Sequence, residues 1–143
     1  MTRIHFYSNA ESKLHAACRI IGRALKHKHQ VLVFAPEDSL ARSIDKLLWT
    51  YQPVGFLPHC MARSPLADQT PVLIANNLAG LPHDEVLVNL SPDAPSEFSR
   101  FARLIEVVSV EEADRYAARA RWRFYKDRGY PVEHHDLSAR HQT

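Results

Sequence analysis

A nearly continuous apolar run, QVLVFA at Gln30–Ala35, is the feature that most constrains the fold of this chain. A strand with one solvent-exposed face alternates apolar and polar residues, whereas a strand that is covered on both faces does not. The run is therefore typical of a central strand in a parallel sheet with helices on both sides. Similar runs predict four more strands, at Arg3–Tyr7, Thr70–Ala75, Glu85–Leu90 and Leu104–Val108.

Amphipathic segments separate these runs. Glu11–Lys28 has apolar residues at helical spacing, and so does the segment from Pro36 to Trp49. A short helix is predicted at Pro92–Phe101. Strands that alternate with helices predict an α/β fold. We expect a single three-layer domain over residues 1–130, with a mainly parallel central sheet and a topology like that of nucleotide-binding domains.

Two segments lack a regular pattern. Thr50–Asp68 contains three prolines and one glycine. It is predicted to be a long loop, and loops of that length are usually functional or mobile. Residues 131–143 are polar without periodicity, so they are predicted to form a loose C-terminal tail.

The segment Ser109–Tyr130 predicts the best-defined helix. Ser109 and Glu112 have the spacing of a capping box at its start. Gly129 stands where a left-handed residue ends a helix, followed by a proline. Five residues recur at helical spacing and are expected to pack inward: Ala113, Tyr116, Ala117, Ala120 and Phe124.

The other face of this helix carries a basic stripe. Arg115, Arg119, Trp122 and Lys126 recur at i, i+4, i+7 and i+11, and Arg123 borders them. One interpretation is a solvated polar face with a half-buried tryptophan. The other is a site for an anionic partner that also carries an apolar group, because tryptophan and arginine are common interface anchors. The net charge is only +2, which favours a local site over general polyanion binding.

Phosphate and metal sites lack their sequence signatures. A phosphate-binding loop needs glycines at the first strand-to-helix turn. Here that turn is SNAESK, and the four glycines of the chain are scattered. The histidine pairs His27/His29 and His134/His135 have neither the spacing nor the cysteine partners of a zinc site. No cofactor or metal ion is expected.

The remaining reactive residues do not form a recognisable catalytic group. His59-Cys60 and His83-Asp84 are chain neighbours, whereas catalytic pairs usually meet across the fold, and no GxSxG elbow is present. Cys18 lies on an apolar stripe and is expected to be a small core residue. With no CxxC motif, free thiols in a reducing cytoplasm are expected. No apolar run approaches the roughly 20 residues that span a bilayer, so no membrane contact is expected.

Four segments are informative through their order and spacing. They are FYS after the first strand, LLWTYQPVGFLPHC, the strands VLIANN and VLVNLSP, and RARWRFYKDRG in the last helix. Together, from about Arg3 to Tyr130, they resemble the chi subunit family of the bacterial DNA polymerase III holoenzyme. The resemblance implies a non-catalytic subunit of a nucleotidyltransferase complex that acts in DNA replication, with no small-molecule substrate.

Members of this family belong to the clamp loader, where they pair with the psi subunit. They also bind the acidic, phenylalanine-ending C-terminal tail of single-stranded-DNA-binding protein, so contact with DNA is indirect. By resemblance, the tail-binding role falls on Arg115, Arg119, Trp122 and Arg123. The psi-facing role falls on Trp49 and Phe56. Trp122 stands where the best-known relatives have tyrosine, which keeps an aromatic ring at that position.

Alternatives remain from the residues themselves. The basic stripe is also suited to direct binding of single-stranded nucleic acid, although Glu111, Glu112 and Asp114 interrupt a long phosphate track. An enzyme of the nucleotide-binding α/β type is a third hypothesis, which the missing glycines disfavour. Trp49 can also be explained as the end of the apolar stripe of its helix.

Overall fold

The computed structural model describes residues 1–50 and 58–140, with the side chains of residues 139 and 140 left out. Within these ranges the strands are β1 (Arg3–Ala10), β2 (Val31–Phe34), β3 (His59–Met61), β4 (Val72–Ala75), β5 (Val86–Asn89), β6 (Arg103–Ser109) and β7 (Val132–Asp136). They form one sheet in the order β3-β4-β2-β5-β6-β1-β7. Every neighbouring pair is parallel.

The helices are α1 (Lys13–Lys26), α2 (Asp38–Thr50), α3 (Glu112–Asp127) and the short α4 (Leu137–Arg140). Two 3-10 turns lie at Ala67–Gln69 and Phe98–Arg100. No helix in the described part of the chain is long and apolar enough to cross a membrane.

Two hydrophobic cores lie on the two faces of the sheet. Alternate residues of a strand point to opposite faces, so Val31 and Val33 pack with α1 and α2 while Leu32 packs on the α3 side. Each fully buried aliphatic side chain contributes roughly 1.5–3 kcal/mol to folding. The predicted three-layer α/β domain with a parallel sheet is confirmed.

Cys18 is fully buried in the core under α1. Burial raises the pKa of its thiol to about 12, because no neighbouring group compensates the thiolate. The expectation that Cys18 is a small core residue is confirmed.

Two strands lie where none was predicted. The predicted loop Thr50–Asp68 contains β3, which pairs with β4 at one edge of the sheet. The predicted loose tail contains β7, which pairs with β1 from Ile4 to Ser8. The prediction of a loose tail is therefore wrong for residues 132–136. An edge strand with a solvated side can be polar, so VEHHD gives no hydrophobic signal for a strand.

The short helix predicted at Pro92–Phe101 is wrong except for its last turn. Only Phe98–Arg100 form a 3-10 turn. The side chains of Asn89 and Ser91 both bond to the Asp93 carbonyl, and Asn89 also accepts the Ser91 N–H. Such side-chain bonds to nearby backbone favour a turn over a helix.

The α3 helix starts later than its predicted capping box requires. Ser109 Oγ accepts from the Glu111 N–H at 3.3 Å, and the side chain that reaches back to the Ser109 N–H is Asp114, at 2.7 Å. The predicted return bond from Glu112 is therefore wrong. Because α3 begins at Glu112, Asp114 occupies the third helical position, where a capping carboxylate is effective.

The end of α3 is as predicted. Gly129 has a φ of 82°, in the left-handed region that suits glycine. Its N–H bonds to the Lys126 carbonyl at 3.0 Å, and the Tyr130 N–H bonds to the Tyr125 carbonyl at 3.2 Å. This pair of bonds is a Schellman motif, which satisfies two carbonyls that a helix end leaves open.

The buried face of α3 differs from the predicted one. Its buried residues are Ala118, Arg121 and Tyr125. Of the five residues expected to pack inward, Tyr116 is 73% exposed. Ala113 and Ala120 are also exposed, and only Ala117 and Phe124 are partly buried. The helix is thus rotated about its axis relative to the prediction.

Candidate functional site

A buried polar cluster explains the rotation of α3. Glu106 of β6 has no solvent exposure. It accepts from Arg121 Nε at 3.0 Å, from the Tyr125 hydroxyl at 2.6 Å and from Asn89 Nδ2 at 3.0 Å. Arg121 also donates to the Pro92 carbonyl at 2.8 Å. We call Asn89, Glu106, Arg121 and Tyr125 the Glu106 cluster.

The Glu106 cluster fixes α3 in one orientation. Burial raises the pKa of the Glu106 carboxyl, and the charge of Arg121 and the bonds from Tyr125 and Asn89 act in the opposite direction. Burial and the nearby Glu106 raise the pKa of Tyr125, so its hydroxyl remains a donor. Turning α3 would leave a buried charge without its partner, which is strongly unfavourable.

A cavity of about 280 Å³ opens beside α3 in this orientation. We call it the α3 cavity. It lies between α3 and the strands β1, β6 and β7, at the edge of the sheet that β7 forms. Its lining residues are Phe6, Ser8, Asn9, Val108, Arg115, Ala118, Arg119, Trp122 and His134.

Trp122 forms one wall of the α3 cavity. Its ring meets Phe6 edge-on at 5.1 Å between centroids, and His134 at 6.3 Å. Lys126 Nζ lies 5.9 Å from the centroid of the Trp122 ring. Edge-to-face packing of this kind favours one ring orientation, so the wall exists before any ligand arrives.

A β-bulge shapes the opposite wall. The pairing of β1 with β6 changes register between Tyr7 and Ala10, and Asn9 has a φ of 62°. Asparagine tolerates this left-handed conformation better than most residues, and bulges redirect side chains. Ser8 and Asn9 thereby line the cavity. Ser8 Oγ bonds to His134 Nε2 at 2.5 Å, which joins β1 to β7 across the site.

Positive charge surrounds the mouth of the cavity. Arg115 and Arg119 line it and are exposed, and Arg123 is exposed one turn further along. In the described ranges none of these three arginines forms an ion pair, whereas Asp114 is already paired with Lys13 at 3.0 Å. Three guanidinium groups are therefore open to an anionic ligand.

The structure brings three of the four predicted tail-binding residues together. Arg115, Arg119 and Trp122 line one cavity, and Arg123 lies outside its lining. Arg121, which belongs to the same basic segment, is only 3% exposed and serves the Glu106 cluster.

Residues from the strands were missed by sequence reasoning. Phe6 and Ser8 are two apart in β1 and therefore share a face, and this was a usable signal in the FYS segment. His134 gave no signal, because its strand was not predicted.

Trp49 lies at the other edge of the sheet. Its ring is 56% exposed at the end of α2. It meets the His59 ring edge-on at 5.3 Å, and His59 Nε2 bonds to Asp45 Oδ1 at 2.9 Å. Ile44 and Leu48 form the buried stripe of α2, so Trp49 points away from that core. The predicted partner residue Phe56 lies outside the described residues.

A larger cavity, of about 550 Å³, lies where β3 and β4 end and α2 begins. Open α/β sheets often bind ligands at the carboxyl ends of their strands. Asp38 in the first turn of α2 lines this cavity, however, and no glycine among the described residues does. A carboxylate at the helix start disfavours a phosphate at that helix terminus. Arg42 and Arg63 also line the cavity, but the backbone lacks the glycine-rich turn that phosphate binding by an α/β domain uses.

The fold defines a class of protein: three-layer α/β domains with a parallel sheet and no glycine-rich turn after the first strand. Within that class, the chain belongs to the family described as DNA polymerase III chi subunit, HolC, whose model matches residues 1–133. The resemblance seen in the sequence is confirmed.

Two relatives show how similar the chain is to known members. DNA polymerase III subunit chi of Pseudomonas aeruginosa (strain PAO1) is 32% identical over 141 residues, which cover 96% of this chain and 98% of that protein. DNA polymerase III subunit chi of Haemophilus influenzae (strain Rd) is 25% identical over 115 residues, or 80% of each chain. Membership supports a role in DNA replication as a subunit of this polymerase.

Proposed function

We propose that this chain is a non-catalytic accessory subunit that binds the acidic C-terminal tail of single-stranded-DNA-binding protein in the α3 cavity. Through the psi subunit it would link that protein to the clamp loader. The observation that carries the proposal is the combination of an aromatic wall, Trp122, with two open arginines, Arg115 and Arg119, at one cavity.

The size of the cavity suits the terminal phenylalanine of such a tail. An apolar cavity of about 150 Å³ is enough to hold benzene, and the α3 cavity has about 280 Å³. Phe6, Val108 and Trp122 supply apolar contacts for the ring. Burying the ring would contribute roughly 1.5–3 kcal/mol.

The arginines suit the acidic part of the tail. A guanidinium group binds a carboxylate through two parallel hydrogen bonds and also stacks on aromatic rings. Exposed pairs contribute only about 0–1 kcal/mol each. We therefore expect micromolar affinity, which is about 8 kcal/mol, and a clear decrease in affinity with salt.

A second surface suits the psi subunit. Trp49 is exposed beside β3, whereas the α3 cavity lies beside β7 and on the other face of the sheet. Large exposed aromatic residues are frequent anchors of interfaces. Separate surfaces would allow both partners to bind at once, as a linking subunit requires.

A peptide titration tests the tail-binding role. A fluorescent acidic peptide ending in Ile-Pro-Phe is titrated with the unmodified chain, with Arg119→Ala and with Arg23→Ala. Arg23 is an exposed arginine of α1 in the opposite layer, and it serves as the matched control. We expect Arg119→Ala to weaken binding about 3- to 10-fold, or roughly 0.7–1.4 kcal/mol, and Arg23→Ala to have no effect.

A second peptide, with alanine in place of its last phenylalanine, should lose most of the affinity. Equal affinity of the unmodified chain and Arg119→Ala for the peptide would contradict the assignment of the binding site to α3. Binding that is insensitive to the terminal phenylalanine would contradict the role of the cavity.

Direct binding of single-stranded nucleic acid is the alternative that the open arginines favour. It predicts oligonucleotide binding at low salt that falls steeply as salt rises, because phosphate contacts release counterions. A titration of the same variants with a labelled single-stranded oligonucleotide separates the two functions. Lack of binding at low salt would end this alternative.

A further inference from the structure

Three side chains with metal-binding atoms converge at the β7 edge, on the face of the sheet opposite to the α3 cavity. His5 Nδ1 lies 3.1 Å from Glu133 Oε2 and 3.1 Å from His135 Nε2. The third distance, between His135 Nε2 and Glu133 Oε2, is 3.9 Å. We call these residues the His5 cluster.

The pairing of two parallel strands assembles the cluster. β1 and β7 are in register, with His5 beside Glu133 and Tyr7 beside His135. Residues two apart in a strand share a face, so all four side chains point the same way. The Tyr7 ring stacks on His135 at 4.5 Å between centroids, which holds the imidazole in place.

The three distances between the cluster atoms lie within about 0.3 Å of those around a tetrahedral ion, two of them shorter and one longer. Zinc binds imidazole nitrogen and carboxylate oxygen at about 2.0–2.2 Å, so neighbouring ligand atoms in a tetrahedral site are about 3.3–3.6 Å apart. Two histidines and one glutamate form a known ligand set for zinc with one open position. We propose that His5, Glu133 and His135 bind a zinc ion, with water as the fourth ligand. This site is separate from the peptide-binding function.

Hydrogen bonds among its own three side chains do not satisfy the cluster, whose Glu133 and His135 also face solvent. His5 Nδ1 carries at most one proton, and two groups face it at the same distance of 3.1 Å. If Nδ1 donates to one of them, the other is left without a donor. If it is unprotonated, its lone pair faces the Glu133 carboxylate. A cation among the three atoms removes this conflict.

The affinity is expected to be modest. Metal-binding histidines usually donate their second ring N–H to an acceptor, and loss of such a partner weakens binding by about 10- to 100-fold. His5 Nε2 is buried and has no hydrogen-bond partner among the described residues. We therefore expect a dissociation constant in the micromolar range rather than the nanomolar range.

Metal binding is measured on the full chain without an affinity tag, after treatment with a chelator. Zinc chloride is titrated by calorimetry, and Co²⁺ absorption reports the coordination of the bound ion. We expect one ion per chain and an increase in Tm of more than about 3 °C at saturating zinc, because the ion binds only the folded state.

Variants locate the ion. His135→Gln and Glu133→Gln, both at the solvent-facing side of the cluster, should each weaken zinc binding at least tenfold. His27→Gln and His29→Gln change the two histidines of the His27/His29 pair, which lies after α1 and away from β7. Both controls should retain the affinity within about twofold.

The inference would be overturned by absence of saturable zinc binding below about 100 µM, or by binding that persists in both cluster variants. Binding that is lost in His29→Gln instead would also overturn it, because it would place the ion elsewhere. Circular dichroism confirms that each variant is folded, and the Co²⁺ spectrum of the unmodified chain tests nitrogen and oxygen ligation without any substitution.

Discussion

The α3 cavity and the exposed surface around Trp49 lie at opposite edges and on opposite faces of one sheet. Trp122 is half-buried between Phe6 and Lys126 and forms a wall. Trp49 is 56% exposed and stands on His59. The first surface is therefore a cavity that can receive an end group, and the second presents an exposed aromatic ring.

The support below the two surfaces also differs. Under the α3 cavity, a buried ion pair between Glu106 and Arg121 sets the rotation of the whole helix. Under Trp49, the bond between Asp45 and His59 orients the ring that Trp49 meets edge-on. The shape of the α3 cavity depends on the position of α3 and three strands, whereas the exposed Trp49 ring of α2 packs on His59 of β3.

The largest expected effect concerns the support of the α3 cavity. Arg121→Ala should lower the free energy of unfolding by about 3–5 kcal/mol, because it leaves Glu106 buried without its cation. Urea unfolding measures this change. Arg123 is exposed two residues further along the same helix. The free energy of unfolding of Arg123→Ala should be within about 0.5 kcal/mol of that of the unmodified chain. Similar values for both variants would refute the role of the Glu106 cluster.

The second prediction separates the two tryptophans by function. Trp122→Ala should lower the affinity for the phenylalanine-ending peptide about 30-fold, since loss of an interface anchor reduces the free energy of binding by about 2 kcal/mol or more. Trp49→Ala should leave peptide affinity within about twofold. Fluorescence anisotropy with both variants measures the difference, and Trp122→Phe serves as the control that keeps a ring. A large effect of Trp49→Ala on peptide affinity would contradict the assignment of the two tryptophans to separate binding surfaces.

The third prediction is a pH dependence at the start of α3. Burial disfavours the Asp114 carboxylate, but the Ser109 N–H and Lys13 outweigh burial and lower the pKa of Asp114 below its usual value. A lowered pKa in the folded state stabilises the chain above about pH 4, and this contribution is lost as the pH falls further.

Asp114→Asn should therefore lower the free energy of unfolding by about 1 kcal/mol at pH 7, as the loss of a helix cap does. The difference in free energy of unfolding between Asp114→Asn and the unmodified chain should be smaller at pH 3. Urea unfolding at the two pH values measures it, and Asp127→Asn at the other end of α3 is the matched control. A constant difference between pH 7 and pH 3 would exclude a role for the Asp114 charge.

The smallest expected effect is coupling between the two surfaces. Six strand spacings of about 4.8 Å separate the edge strands β3 and β7, on the order of 30 Å. The changes in free energy of unfolding caused by Trp49→Ala and Trp122→Ala should thus be additive within about 0.5 kcal/mol. A larger deviation in the double variant would show that the two surfaces are energetically connected.

Five of the seven strands in the described ranges and the three long helices were predictable, because they depend on local patterns. Apolar runs such as Val31–Phe34 and the glycine at Gly129 act through neighbours in the chain, so the sequence carries their signal directly. Arg115, Arg119 and Trp122 could be grouped for the same reason, since helical spacing alone places them on one side of α3.

The remaining features depend on partners far away in the chain. Arg121 is buried because its guanidinium group donates hydrogen bonds to Glu106 and to the Pro92 carbonyl. A helical pattern that assigns arginine to the solvent-exposed face does not include these distant acceptors. His134 reaches the α3 cavity because β1 offers an open edge to a polar segment. The His5 cluster joins residues at opposite ends of the sequence, so inspection of adjacent histidines misses it.

The position of β1 has a consequence for how the chain folds during synthesis. β1 leaves the ribosome before the other described strands, but both of its neighbours come from the last third of the sequence, with Ile4 beside Leu104 and Val132. At about 5–20 residues per second, the first strand waits on the order of 5–20 s for its first partner. Contacts so distant in sequence slow folding. We therefore expect the half of the sheet that bears the α3 cavity to form last.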